Sequence, residues 1–152
     1  LTISKIENNT PDENVIIEID QFIENISHSI ITALSDDENL KFKTVFDLKS
    51  NQKAKNFNAT MIGLILNELI TNTTKYAFED RSEKNKLVIS SRMEGDNLII
   101  IIKDNGQGYD AGEIMNNSSL GIELVGEMVA QLNGSITVNS LNGTENIIIL
   151  PI

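Results

Sequence analysis

The sequence predicts a two-layer α/β sandwich: a mixed, mostly antiparallel sheet with its helices on one face. Three observations lead there. Apolar residues recur at helical spacing in some stretches and alternate with period two in others. Helical and strand-like stretches interleave along the chain rather than segregating. The later strand-like stretches are separated by short, turn-forming segments, so they pair as hairpins.

In order, residues 1–15 (LTISKIENNTPDENV) are polar after a short apolar start, and Pro11 breaks any helix through them. They read as a linker or the end of a preceding element, with one domain over 16–152. Ile19, Phe22, Ile23, Ile26, Ile30 and Leu34 follow helical spacing, so a helix runs from Ile19 to about Ala33. Asp20 sits where an N-cap or first-turn carboxylate helps. Residues 40–48 (LKFKTVFDL) alternate and predict a half-buried strand. A polar loop over 49–58 leads to a second helix, about Ala59 to Tyr76. Leu87–Arg92 and Asn97–Lys103 predict a hairpin joined by Met93-Glu94-Gly95-Asp96. After a Gly-rich stretch and a polar loop, a third helix over Leu120–Leu132 stops at Asn133-Gly134. Ser135–Ser140 and Glu145–Leu150 form the last hairpin around Leu141-Asn142-Gly143.

Composition excludes several classes. The 152 residues make one domain, enough to bury about 70% of its unfolded surface. The net charge of −10 argues against a nonspecific nucleic-acid binder. With no cysteine and one histidine, disulfide frameworks, thiol nucleophiles and Cys- or His-based zinc sites are out, leaving oxygen ligands for any metal. The longest apolar run, Leu98 to Ile102, is far short of the ~20 residues a membrane span needs. No signal-peptide pattern opens the chain, and the first residue is Leu1 rather than Met, so a fragment of a longer protein is expected, itself cytoplasmic, with membrane association left open for the full-length protein.

Three stretches carry chemistry. In LILNELITNTTKYAF (64–78), Glu68, Asn72 and Lys75 share one helical stripe. A solvated polar face is the bland alternative, yet the Thr-Asn-Thr-Thr run is a poor helix former, so propensity does not explain it. An acid, an amide oxygen and a lysine also suit a metal–phosphate ligand. In LIIIIKDNGQGYD (98–110), a buried strand delivers Asp104 just before Gly106 and Gly108. The alternative is a plain Asn-Gly turn, but no strand pairs back within the next few positions. Paired glycines let a backbone approach a flat ligand, and a strand-end carboxylate can accept from an exocyclic amine. In SSLGIELV (118–125), Ser118, Ser119 and Gly121 open a helix whose free N–H groups favour an anion; ordinary serine capping is the alternative. No Walker-type loop and no G-x-G-x-x-G occurs. His28, four residues after Glu24, reads as a surface histidine in a helix pair.

The order and spacing of these stretches resemble the ATP-binding catalytic domain of sensor histidine kinases. That domain belongs to the superfamily of gyrase, heat-shock chaperone and mismatch-repair ATPases. LNELITNTTKYAF looks like its N-box, KDNGQGYD like its D-x-G-x-G box and SSLGIELV like its second glycine box. Asn142-Gly143-Thr144 resembles the Gly-Thr before its terminal strand. The resemblance covers about residues 17–152 and implies a Bergerat-type ATP-binding fold. It implies that Asn72 coordinates Mg²⁺, Glu68 polarises the attacking group, and Lys75 and Tyr76 contact phosphates. Asp104 would hold the adenine amine, with Thr144 helping through water, while Gly106 and Gly108 give the base room. Ser119, Leu120 and Gly121 would line the phosphate side, and Tyr109 to Ser118 would form a lid. Ser119 stands where many relatives carry glycine, which implies a stiffer hinge.

The implied activity is transfer of the γ-phosphoryl group of Mg-ATP to a histidine on a separate helical hairpin. Leu1–Asn9 looks like the end of that hairpin's second helix. A response-regulator receiver would act downstream, with no nucleic-acid partner and no membrane contact by this fragment. Two other readings stay open: a regulatory module that senses ATP or ADP without transfer, and a serine kinase of the anti-sigma-factor type.

Overall fold

The computed structural model describes residues 15–35, 41–55, 57–78, 83–108 and 119–152. The elements are β1 (Ile16–Glu18), α1 (Ile19–Leu34), β2 (Lys43–Lys49), β3 (Lys53–Lys55), α2 (Ala59–Tyr76), β4 (Lys86–Glu94), β5 (Asn97–Asp104), α3 (Ser119–Gln131), β6 (Ser135–Asn139) and β7 (Glu145–Pro151). Five strands form one sheet in the order β2-β4-β5-β7-β6. Only β2 and β4 run parallel; the other neighbours are antiparallel. The expected sandwich is thus present, together with a second, two-stranded sheet of β1 and β3.

Pleat alternation decides what the main sheet buries. Leu87 and Ile89 of β4, Leu98, Ile100 and Ile102 of β5, and Ile148 and Leu150 of β7 face inward and join one core. The three helices of the described residues cover that face. Their contributions include Ile19 and Ile23 of α1, Ile65, Leu66, Leu69 and Ile70 of α2, and Val125 and Val129 of α3. Each such side chain, 0–1% exposed, contributes about 1.5–3 kcal/mol by leaving water. α2 lies between α1 and α3 and carries the N-box stripe along its length.

α2 has the bounds its periodicity predicts, with the side chain of Asn58 accepting from the Met61 N–H as its N-cap. α3 ends in a Schellman motif: Gly134 N–H donates to Val129 O, Asn133 N–H to Ala130 O, and Asn133 takes the left-handed φ of 56°.

Several boundaries differ from the sequence reading. The strand expected over 40–48 starts at Lys43 and runs to Lys49. The loop expected over 49–58 contains β3, which pairs with β1 just past the expected linker. The four-residue hairpin connection shrinks to Gly95-Asp96, because Glu94 pairs directly with Asn97. Asp20 lies in the first turn of α1 but caps nothing, and Glu18 occupies the N-cap without a side-chain bond. The carboxylate of Asp20 is taken by Ser50, Asn51 and Ser91 instead. Residues 1–14, and with them the segment compared to a hairpin end, lie outside the described residues.

Candidate functional site

The C-terminal end of β5 brings two of the three stretches together. Asp104 is the last residue of the strand and 2% exposed. Its Oδ1 accepts the N–H of Gly106 at 2.9 Å and of Thr144 at 3.1 Å. The Thr73 hydroxyl of α2 adds a side-chain bond. A carboxylate offers about four acceptor positions, so capacity remains for a ligand donor. Burial pushes the Asp104 carboxyl above the usual carboxylate range, and the bonds from Gly106, Thr144 and Thr73 only partly oppose it.

The loop after Asp104 folds back on α2. Gln107 N–H donates to Ala77 O and its side-chain amide to Tyr76 O. A Cβ on Gly106 would collide with the Ala77 carbonyl, so only glycine fits there. Gly108, with φ of 73°, lies against Ser140 and Gly143 of the β6–β7 connection. Asn105 is a clamp rather than a ligand group: its side chain accepts from Lys86 N–H and donates to Lys84 O. Thr144 reaches Asp104 because β7 starts beside the end of β5, and Asp104 N–H donates back to Thr144 O.

The third stretch meets the first at the other helix pair. A Cβ on Gly121 would lie 3.3 Å from Glu68 Oε2 and 3.4 Å from Asn72 Nδ2. The first turns of α3 therefore pack directly against the acid and the amide, and glycine permits that approach. Ser119 and Leu120 form the start of α3. Lys75 and Tyr76 project from the last turn of α2 and are exposed, Tyr76 at 51%. The lid expected over Tyr109 to Ser118 lies outside the described residues.

Among the described residues, no group of three or more His, Asp or Glu could hold a metal by itself. An amide oxygen and a carboxylate side by side do suit Mg²⁺, which takes one or two protein oxygens and completes its shell with water and phosphate. Two open cavities, of about 430 and 450 Å³, lie beside β1 and β3 and touch none of the three stretches. Glu18, Asp20 and Glu24 line the first against a single cation, Lys53, which is itself paired with Glu18, so its charge is wrong for a polyphosphate.

Sequence reasoning missed Thr73, which is 3% exposed and joins α2 to Asp104. Its signal was the low helix propensity of the Thr-Asn-Thr-Thr run. His28 does face Glu24, with Nε2 at 3.9 Å, and its ring also lies 4.8 Å from that of Phe46 on β2. No helix among the described residues is long and apolar enough to cross a membrane.

Residues 58–152 match the family described as histidine kinase-, DNA gyrase B- and HSP90-like ATPase. The chain is 32% identical over 91 residues to blue-light-activated histidine kinase 2 of Erythrobacter litoralis, covering 59% of this chain and 26% of that protein. It is 28% identical over 98 residues to the sensor histidine kinase PdtaS of Mycolicibacterium smegmatis, covering 62% and 20%. It therefore spans about a quarter or less of these relatives' length. Among solved structures, the histidine kinase domain of the Erythrobacter litoralis EL346 blue-light-activated kinase superposes with a TM-score of 0.73 at 24% identity. That superposition covers 92% of this chain and 63% of the other.

Proposed function

The chain belongs to the histidine kinase-, DNA gyrase B- and HSP90-like ATPase family and has the fold of histidine kinase catalytic domains; from that premise we propose that residues 16–152 bind Mg-ATP and donate its γ-phosphoryl group to a histidine on a separate helical hairpin. One observation carries the reading beyond the family. The turn of Gly121 lies against Glu68 and Asn72, while the buried Asp104 stands at the strand end next to the same helix. One end of such a site takes an amine-bearing flat base, and the other takes phosphate with its cation.

In this reading the residues divide the work. Asp104 accepts from the adenine amine, with Thr144 beside it, and the Gly106–Gly108 loop leaves room for the ring. Asn72 offers its amide oxygen to Mg²⁺, which would shield the phosphate charge when bound. Lys75 and Tyr76 meet the phosphates from the last turn of α2, and Ser119 to Gly121 line them from α3. Glu68 polarises the attacking imidazole. Positioning and electrostatics supply most of the catalysis in such transfers.

The phosphoacceptor hairpin and a downstream response-regulator receiver are the partners of this reading, with the reaction in the cytoplasm where ATP is supplied. The relatives support it, since each is a sensor or light-activated histidine kinase of which the match to this chain covers only about a quarter or less. Calorimetric titration with Mg-ADP, followed by transfer from labelled ATP to a supplied histidine-bearing hairpin, tests both halves. Heat of binding and acid-labile label on the hairpin are expected, with none on His28. A folded chain with no heat of binding overturns the reading; binding without transfer to any hairpin leaves a nucleotide sensor.

A further inference from the structure

Two buried side-chain atoms among the described residues lack a hydrogen-bond partner: Ser27 Oγ and Asn146 Oδ1. Ser27 lies in α1 among the apolar Ile23 and Ile30. Asn146 is placed differently. It is the second residue of β7, 4% exposed, and pairs with Ile102 on one side and Val138 on the other. Ile102 and Asp104 alternate onto the same inward face of β5, so Asn146 shares that face with Asp104. Thr144, which donates its N–H to Asp104, precedes it by two residues, about 7 Å along the strand. An unpaired amide oxygen thus sits one pleat step below the groups that would meet the base. A buried acceptor without a donor is costly, and few survive in folded proteins unless water or a ligand completes them.

The chemistry of adenine says which completion fits. Its exocyclic amine is a donor, and the adjacent ring nitrogen N1 is an acceptor. Asp104 can take the donor. The N1 acceptor then faces further acceptors, since Asn146 also presents an oxygen. One water resolves that conflict, because it can donate one hydrogen to N1 and the other to Asn146 Oδ1. Guanine presents the reverse pattern, an acceptor at position 6 and a donor at N1. It would set its carbonyl oxygen against Asp104, and it is Asp104 that rejects it, since a water can accept from an N–H as readily as it donates to N1.

We propose that Asn146 is a positioning residue of the nucleotide site, holding one buried water against the N1 edge of adenine. The inference rests on the nucleotide-binding reading and adds a second point of base recognition behind Asp104 and Thr144. The role is positional: Asn146 orients the water and does not touch the phosphates.

The test pairs a change in the protein with a change in the base. The full chain, Asn146→Leu (same branching, no polar atoms) and Asn146→Ala are titrated with ADP and with 1-deaza-ADP, in which N1 is replaced by C–H. The parent is expected to prefer ADP by about three- to tenfold, the worth of one water-mediated bond. That preference falls to near one in both variants, while Asn146→Leu unfolds at the same or a higher temperature without nucleotide. A merely structural role would weaken both nucleotides equally and leave their ratio at the parental value, which overturns the proposal. Equal affinity of the parent for the two nucleotides also overturns it, whether or not either variant folds. A parent that binds neither nucleotide removes the nucleotide reading itself.

Discussion

Asp20 and Asp104 meet the same strand four residues apart, on the order of 13 Å along it, and they have opposite chemistry. Asp20, in α1, reaches β4 at Ser91, whereas Asp104, on β5, pairs with Leu87. Burial pushes Asp20 up, but hydrogen bonds outweigh it and hold the carboxyl below its ordinary value. Both of its oxygens are used: Oδ1 accepts the Ser50 and Ser91 hydroxyls at 2.6 Å, and Oδ2 accepts Asn51 N–H at 2.8 Å. Asp104 has fewer donors for deeper burial, and its carboxyl is held above its ordinary value. A saturated carboxylate ties the fold together; an under-supplied one at a strand end is ready for a ligand. The fold bears the cost of the second kind, which is the usual mark of a binding site.

The largest expected effect lies with a third carboxylate. Glu68→Gln keeps the shape of the side chain and its contact with the Gly121 turn, but removes the charge that can polarise an attacking imidazole. Phosphoryl transfer to a supplied hairpin should fall about 100-fold, at the lower end for general-base help, because imidazole is already a fair nucleophile. ADP affinity and unfolding temperature should change little. Transfer at the parental rate would leave Glu68 without a chemical role.

Asp104→Asn comes next. Its amide oxygen can still accept from Gly106 and Thr144, so the loop should hold, and the cost of a buried charge disappears. The adenine amine loses a charged acceptor worth about 1.5–3 kcal/mol, roughly ten- to 100-fold in ADP affinity. Calorimetry should show that loss, and thermal unfolding without nucleotide should show no decrease. A variant that binds as the parent does would make Asp104 a turn residue.

Asp20→Asn should do the reverse. An amide nitrogen would face either Asn51 N–H or the two serine hydroxyls, so at least one bond to a charged acceptor is lost. Unfolding in urea should show a loss of about 1–3 kcal/mol, with ADP affinity unchanged. Lost ADP affinity in a protein of parental stability would place the wrong carboxylate at the site.

The sequence made one of these carboxylates legible and not the other, for a physical reason. Asp104 is announced locally, by a run of five apolar residues before it and two glycines after it. α2 is equally plain, because one long amphipathic period sets both its bounds and its polar stripe. The bonds that define Asp20 come from residues 30 and 71 positions away, and no local pattern encodes them. β1 and β3 are three residues each, too short for alternation to show, and their pairing joins residues more than 30 positions apart. Thr73 and Asn146 escaped for a related reason. Each acquires its meaning only when another element is laid against it, α2 on the end of β5 in one case and β7 on β5 in the other.

The smallest expected effect is in pH, and there the two carboxylates should move stability in opposite directions. The unfolded-state value for both is about 3.9. Asp20 titrates below that value in the folded chain, so its contribution is complete above about pH 4 and is lost as pH falls through its folded pKa. Asp104 titrates above it, so the folded chain takes up a proton before the unfolded chain does. Its contribution is complete below about pH 4 and is lost as pH rises through its raised pKa. Urea midpoints without nucleotide should therefore fall less steeply in Asp20→Asn than in the parent below pH 4. In Asp104→Asn the decline with rising pH above that point should disappear. ADP binding by the parent should weaken as pH falls through the raised pKa of Asp104, because the protonated carboxyl loses its charge as an acceptor, and Asp20→Asn should leave that dependence in place. Parallel stability curves for all three proteins would show that neither carboxylate is linked to folding and would remove the contrast between them.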